Sequence, residues 1–222
     1  MEYSFHIFNK MATDGVMMAT DSLLTSVFSH KNIKMRGAGT RLTQKNAPLP
    51  STSTLVKKPP VVVCVGSDLA IGDCLGPITG SMLKFKTQGL NAFLYGSLSS
   101  PVTAKEIKYL RAFLKETHRD SPIIAIDAAV GNEGDIGLIK VNDSPLLPGA
   151  GANKKLGSIG DMSIMGIVAE KSITNYGLLN TTRLNLVYTM SEIISDAVSS
   201  LLWEYCSRQK SLDDSSSAPK NA

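Results

Sequence analysis

The chain has 222 residues, 43% of them hydrophobic, and a formal net charge of +4. This length and composition are typical of one globular domain with enough apolar residues for a core. No apolar run approaches the ~20 residues that a membrane-spanning helix needs, and the first residues lack the pattern of a secretory signal. We therefore predict a protein that acts without a membrane.

The organisation along the chain changes at two places. Residues 1–58 are weakly patterned, carry most of the excess basic charge and end in a stretch rich in Pro, Ser and Thr, so we predict a weakly structured basic leader and linker. Residues 59–206 alternate apolar runs with helical patterns and are predicted to form the domain. Residues 207–222 are dominated by Ser, Asp and Lys, which indicates a disordered polar tail.

The first half of the predicted domain contains two strands and two helices. Pro77 suits the first turn of a helix, and Thr103 with Glu106 forms the pattern of a capping box. In chain order the predicted elements are a strand at Val61–Gly66, a helix at Leu75–Gln88, a strand at Asn91–Tyr95 and a helix that opens after Ser100-Pro101.

The second half continues with strands and closes with the best helical pattern in the chain. The strands are predicted at Ile123–Asp127, 136–141, 162–168 and 184–188. The closing helix has apolar residues at i, i+3, i+4 and i+7 from Met190 onward, with Thr189 and Glu192 as a capping box. Strands that alternate with helices predict an α/β fold, a three-layer αβα sandwich with a mostly parallel sheet.

Two aspartates follow the predicted strands at the edge of the sheet where ligands bind in such folds. Asp73 lies in the loop after the first strand, and Asp127 directly follows Ile123–Ile126. Each has a structural alternative, because Asp73 could cap the following helix and Asp127 could bond nearby backbone amides. Two carboxylates that meet there cannot both ionise cheaply, so one can activate water while the other donates a proton.

Two segments near these aspartates are predicted to bind substrate. Gly66 and Asp68 lie in the loop before Asp73, although Asp68 could instead hold the loop through an Asx turn. The second segment, Pro148–Lys155, lacks the spacing of a P-loop, but its backbone amides could bind an oxyanion or a peptide. A plain connecting loop is the equal alternative. The residues predicted to bind substrate in this second segment are Gly149, Gly151, Asn153 and Lys154.

The cysteine and histidine residues limit the kinds of catalytic and metal site that the chain could form. The three cysteines form no Cys-x-x-Cys pair, which indicates a reducing, intracellular compartment. Cys64 and Cys206 are predicted to be core residues, while Cys74 lacks a basic partner in the sequence that would activate it. His118 is the last of three histidines, so a zinc site or a Ser-His-Asp triad has little support, and we predict neither a metal nor a cofactor.

Three motifs in order resemble the YyaC family of sporulation proteins, described as spore proteases. They are Gly66-Ser67-Asp68 with Gly72–Pro77, Ile124–Ala128, and Pro148–Lys154. That family is similar to the germination protease of spore-forming bacteria and, more distantly, to hydrogenase maturation proteases. The resemblance implies a phosphorylase/hydrolase-like fold and a peptidase whose catalytic aspartates match Asp73 and Asp127. In the hydrogenase relatives the matching acidic positions bind nickel together with a later histidine, and this chain has no histidine after His118.

The combined expectation is a sporulation-associated endopeptidase that uses Asp73 and Asp127 to hydrolyse peptide bonds. The resemblance implies a protein substrate such as small spore proteins and a location in the cytoplasm of the sporulating cell or spore. No interleaved basic and aromatic face suggests a nucleic-acid partner. The alternatives are a non-catalytic peptide- or ligand-binding protein on the same fold, and a metal-dependent maturation peptidase.

Overall fold

The computed structural model describes residues 1–37, 60–149, 156–171 and 182–216. The strands are β1 (Glu2–His6), β2 (Val61–Cys64), β3 (Phe93–Tyr95), β4 (Ile123–Gly131), β5 (Leu138–Asn142) and β6 (Met162–Glu170). The α-helices are α1 (Ala12–Gly37), α2 (Leu75–Lys86), α3 (Ile107–Thr117) and α4 (Leu184–Ser216). Short 3-10 turns occupy Ile71–Cys74 and Glu133–Asp135. Within these residues no helix is both long and apolar enough to cross a membrane.

The described strands form one six-stranded sheet in the order β1-β5-β6-β4-β2-β3. β6, β4, β2 and β3 run parallel to one another, whereas β5 and β1 are antiparallel to their neighbours. The chain leaves β2 for β3 on one side and then returns to β4 on the other side of β2. The strand order therefore reverses between β2 and β4, and a crevice opens outside the carboxyl ends of strands at such a point.

Helices cover both faces of the sheet, which confirms the predicted three-layer α/β architecture. On one face α1, α2 and α4 pack over buried residues of the central strands, including Val62, Cys64 and Ile126. On the other face α3 packs with the segment around Leu146 and Ile159. Because successive side chains of a strand point to opposite faces, β2 contributes valines to both layers.

The prediction of a weakly structured leader is wrong for residues 1–37. β1 pairs with β5 at the edge of the sheet, and α1 packs with α4 in the main core. The buried stripe of α1 has helical spacing but small side chains, which is why the pattern is weak. Its members are Ala12, Val16, Ala19 and Leu23. The basic linker at 38–59 lies outside the described residues.

A single substitution in α1 tests whether this helix belongs to the core. Leu23 is 2% exposed, and removal of a buried leucine side chain costs about 2–5 kcal/mol. We expect Leu23→Ala to lower the free energy of unfolding by about 3 kcal/mol in urea denaturation. Met18→Ala is the control, because Met18 is 71% exposed on the same helix. Equal stability of the two variants would show that α1 does not contribute to the fold.

Two predictions near the carboxyl terminus also differ from the structure. Residues 184–188, predicted as a strand, form the first turn of α4, because buried Val187 extends the apolar stripe of Met190 and Ile194 at helical spacing. Thr189 and Glu192 therefore lie inside the helix and do not cap it. The helix continues to Ser216, so residues 207–216 are helical and not disordered, while 217–222 lie outside the described residues.

Candidate active site

The loop after β2 is held tightly against the neighbouring strands. The amide of Val65 donates to the carbonyl of Ile126 at 2.7 Å, and the amide of Gly66 donates to the carbonyl of Val102 at 3.0 Å. Gly66 has a φ of +142°, and a Cβ there would lie 2.2 Å from the carbonyl oxygen of Asp73. Glycine at this position thus lets the loop fold back so that Asp73 lies over the end of β2.

Asp73 lies in the 3-10 turn that leads into α2. Its carbonyl accepts a hydrogen bond from the amide of Ser67 at 3.2 Å, and its own amide donates to the carbonyl of Ala70 at 3.0 Å. The cap position of α2 is occupied by Cys74. Asp73 therefore precedes the cap, which disfavours the reading of its side chain as a helix cap. The side chain is partly exposed.

Asp127 lies within β4 and not at its end, because β4 continues to Gly131 alongside β6. β2, however, ends at Cys64, opposite Ile126. Asp127 is consequently the first residue of β4 beyond the end of β2, beside the crevice. By strand alternation it shares a face with Ala125. Its carboxyl group is buried, with the residue 8% exposed, and its Oδ1 accepts a hydrogen bond from the amide of Ala128 at 2.8 Å.

The electrostatics of the site join the two aspartates. Burial raises the pKa of Asp127 well above its ordinary value, the charge of Asp73 raises it further, and the amide of Ala128 opposes both effects. Asp127 thus keeps its proton to higher pH than an ordinary carboxyl group. Asp73 is more exposed than Asp127. The arrangement can offer a carboxylate base and a carboxylic acid side by side.

Cys74 does not have the properties of a nucleophile. Its pKa is raised by burial first and then by the charges of Asp73 and Asp68, and its Sγ donates to the carbonyl of Ala70 at 3.2 Å. A nucleophilic cysteine needs the opposite shift. Cys64 and Cys206 are buried, as predicted, and burial raises the pKa of Cys64 to about 12.

The raised pKa of Cys74 predicts slow alkylation, since only the thiolate reacts. We expect iodoacetamide at pH 8 to modify Cys74 more slowly than the thiol of an unstructured reference peptide. Asp73→Asn should speed the reaction, because it removes one charge that disfavours the thiolate. Mass spectrometry of the Cys74 peptide over time measures both rates. Alkylation of the wild type faster than the reference would contradict this description of the site.

The other residues predicted to bind substrate have different outcomes. Gly66 lies at the site, as described above. Asp68 is exposed in the same loop. The turn there is stabilised by Ser67, because its Oγ accepts a hydrogen bond from the amide of Leu69 at 3.1 Å. Gly149 adopts a φ of +72°. Leu146 and Ile159, on either side of the segment that Gly149 enters, form an antiparallel bridge. This bridge lies just before the start of β6, at the opposite end of the strands from Asp73. Gly151, Asn153 and Lys154 lie outside the described residues, so the role of this loop stays a prediction.

Two exposed apolar side chains beside Asp73 were not predicted as part of the site. Leu69 and Ile71 are both exposed in the loop before Asp73. An apolar pair in an otherwise polar, glycine-containing loop is the signal that could have identified them. Across the described ranges there is no group of three or more His, Cys, Asp or Glu that could hold a metal ion. The absence of a metal or cofactor stays a prediction.

A family model and a curated relative agree with the motif resemblance. A family model described as "Protein of unknown function (DUF1256)" matches residues 41–197, which include both aspartates. "Uncharacterized protein YyaC" of Bacillus subtilis (strain 168) is 41% identical over 143 residues, which cover 64% of this chain and 69% of that protein. The crystal structure of the NiFe hydrogenase maturation protease HycI from Thermococcus kodakarensis KOD1 matches with a TM-score of 0.42 and 14% identity. That match covers 65% of this chain and 92% of the other.

Proposed function

This chain belongs to the family described as a protein of unknown function (DUF1256), and for it we propose the activity of an aspartate-dependent endopeptidase. The predicted resemblance to the YyaC family is confirmed by the curated relative. The motif resemblance suggests the reaction class, peptide hydrolysis, and the geometry around Asp73 and Asp127 suggests the catalytic residues.

The observation that carries the proposal is the environment of Asp127. A buried carboxyl group near a second carboxyl group lowers the stability of the fold, and this one lies where the strand order reverses, the place at which such folds bind ligands. Its pKa is raised by burial and by Asp73. Strongly shifted carboxyl groups in a crevice are typical of general acids and bases.

In the proposed mechanism Asp73 is the base and Asp127 is the acid. Asp73, as the ionised member, takes a proton from a water molecule while that water attacks the carbonyl carbon of the scissile peptide bond. Asp127 donates its proton to the carbonyl oxygen, which forms a neutral tetrahedral intermediate. The intermediate then collapses: the amide nitrogen takes the proton from Asp73 and leaves as the amine, and a hydroxyl proton returns to Asp127.

Substrate binding in this proposal uses the loop before Asp73. The exposed side chains of Leu69 and Ile71 offer an apolar surface, which favours substrates with apolar residues near the cleaved bond. The resemblance adds a proposed setting, namely hydrolysis of small spore proteins in the cytoplasm of the sporulating cell or spore. The reaction as written needs no metal or cofactor.

The test is a search for cleavage with a defined peptide library. Purified full-length protein is incubated with the library, and products are identified by mass spectrometry with and without EDTA. We expect cleavage next to apolar residues that EDTA does not reduce. No cleavage of the library or of unfolded casein would count against the proposal, and loss of cleavage with EDTA would favour the metal-dependent alternative.

One observation favours the non-catalytic alternative, a peptide-binding protein on the same fold. Asp127 is 8% exposed, so a substrate bond reaches it only if the surrounding loops move. If the protein only binds peptides, library members will be retained by the immobilised wild type without being cut. Retention without cleavage would therefore replace the peptidase proposal by the binding proposal.

A further inference from the structure

Among the described residues, the outer edge of β1 has no neighbouring strand. The carbonyl of Met1 accepts from the amide of Asp143 at 3.2 Å, and the amide of Ile7 donates to the carbonyl of Gly137 at 3.0 Å. Because such bonds alternate along an antiparallel pair, the odd-numbered residues face β5. The amides and carbonyls of Glu2, Ser4 and His6 then point outward, where the His6 carbonyl also accepts from Asn9.

The sequence of β1, Glu-Tyr-Ser-Phe-His, matches itself in the antiparallel direction. With Ser4 on a two-fold axis, Glu2 lies opposite His6 of the second copy, and Tyr3 lies opposite Phe5 of the second copy. The first pair joins a carboxylate to an imidazole, and the second joins two aromatic rings. Aromatic cross-strand pairs stabilise a sheet, and the Glu2 carboxylate can accept a hydrogen bond from the imidazole N–H of His6, whose Nδ1 accepts from the amide of Phe8. The outward amides and carbonyls match in the same register.

Three of the usual protections of an edge strand are missing from β1, although Glu2 is charged and forms an ion pair with Lys140 at 3.5 Å. It contains no proline, no lysine and no shift in its register with β5. The opposite edge, β3, is only three residues long. Next to β1, Met1 and Phe8 are 72% and 85% exposed. In the register centred on Ser4, exposed Met1 lies opposite half-buried Ile7 of the second copy, so these two apolar side chains come together.

From these observations we propose that the partner of β1 is a second copy of this chain. The two β1 strands pair antiparallel about Ser4 and join the two sheets into one continuous sheet. The interface lies at the far edge of the sheet from β2, so it does not depend on the proposed peptidase activity. Wild type and catalytic variants should associate equally.

The first test is the mass of the full-length protein in solution. By sedimentation velocity we expect the wild type to reach about twice the monomer mass of 23.7 kDa at micromolar concentration. Ser4→Lys places like charges opposite each other on the axis and should weaken the dimer about tenfold or more. Ser100→Lys, at an exposed serine in a turn beyond β3, should not. A monomeric wild type, or a dimer that Ser4→Lys leaves unchanged, would overturn the proposal.

A second test fixes the register and does not depend on the lysine variant. Directly opposed residues in a hydrogen-bonded antiparallel pair have Cα atoms about 5.5 Å apart, within the range that a disulfide spans. Ser4→Cys should therefore give a dimer on oxidation that dithiothreitol separates, whereas Ser100→Cys should stay monomeric on a non-reducing gel. Equal cross-linking of the two variants would show that β1 is not the interface.

Discussion

Asp127→Asn is expected to reduce peptide hydrolysis by about 10³-fold, because the substituted amide cannot donate the proton that the carbonyl oxygen needs. The side chain keeps its shape, and its oxygen can still accept the hydrogen bond from Ala128 that Asp127 accepts at 2.8 Å. The fold should therefore survive. Initial rates on a cleaved library peptide measure the effect, and circular dichroism checks the fold.

The direction in which Asp127→Asn changes the free energy of unfolding can also be predicted. The pKa of Asp127 is raised in the folded state, so the folded protein holds this proton after the unfolded chain has released it. The wild type then loses stability as pH rises above the ordinary aspartate pKa of about 3.9. Asp127→Asn removes that loss and should be at least as stable as the wild type at pH 7.

The control for this experiment is Asp196→Asn. Asp196 forms an ion pair with Lys86 at the last turn of α2, the end of that helix away from Asp73. An exposed pair of this kind contributes about 0–1 kcal/mol, and full activity is expected. An Asp127→Asn variant with wild-type rates would eliminate Asp127 as the acid.

Gly76→Ala is expected to have the largest effect on stability. A Cβ at Gly76 would lie 1.9 Å from the carbonyl oxygen of Val65, and Val65 is held in place by its hydrogen bond to Ile126. The helix α2 has to move away from β2, which should cost at least about 3 kcal/mol. Asp73, one turn earlier, would move with it, so activity should fall as well.

Gly134→Ala is the matched control, because a Cβ there meets nothing within 4 Å. Its expected effect on the free energy of unfolding is small, between zero and about 1 kcal/mol of stabilisation. Urea denaturation of both variants gives the comparison. Equal stability of the two would mean that α2 does not pack against β2 as closely as described.

Local patterns were enough to predict the central part of the fold. Val61–Cys64 and Ile123–Ile126 are continuous apolar runs, as expected for strands buried on both faces. Gly66 and Gly76 are needed because the loop and helix α2 approach neighbouring backbone too closely for a side chain. Asp127 was predicted at the end of its strand, whereas β4 continues to Gly131. It lies beyond the end of β2 because β2 is the shorter strand.

The parts that were missed depend on contacts that are distant in sequence. β1 is a strand because Tyr3 pairs with Val141, and no local feature of residues 2–6 reveals that partner. The core stripe of α1 uses alanines, whose burial follows from the packing of α4 over them. Residues 184–188 were predicted as a strand, but Val187 is buried in the same core cluster as Met190 at helical spacing. The packing of the neighbouring helices decides this.

The most direct test of the account is the titration of Asp127 by NMR, with carbon-13 label in the aspartate carboxyl groups and Asp127→Asn for assignment. We predict that Asp127 titrates well above about 3.9. In Asp73→Asn its pKa should fall but stay raised, because burial is the larger cause and the charge of Asp73 the smaller one. An Asp127 that titrates at or below the ordinary value, or that does not respond to Asp73→Asn, would contradict the claim that these two carboxyl groups form the active pair.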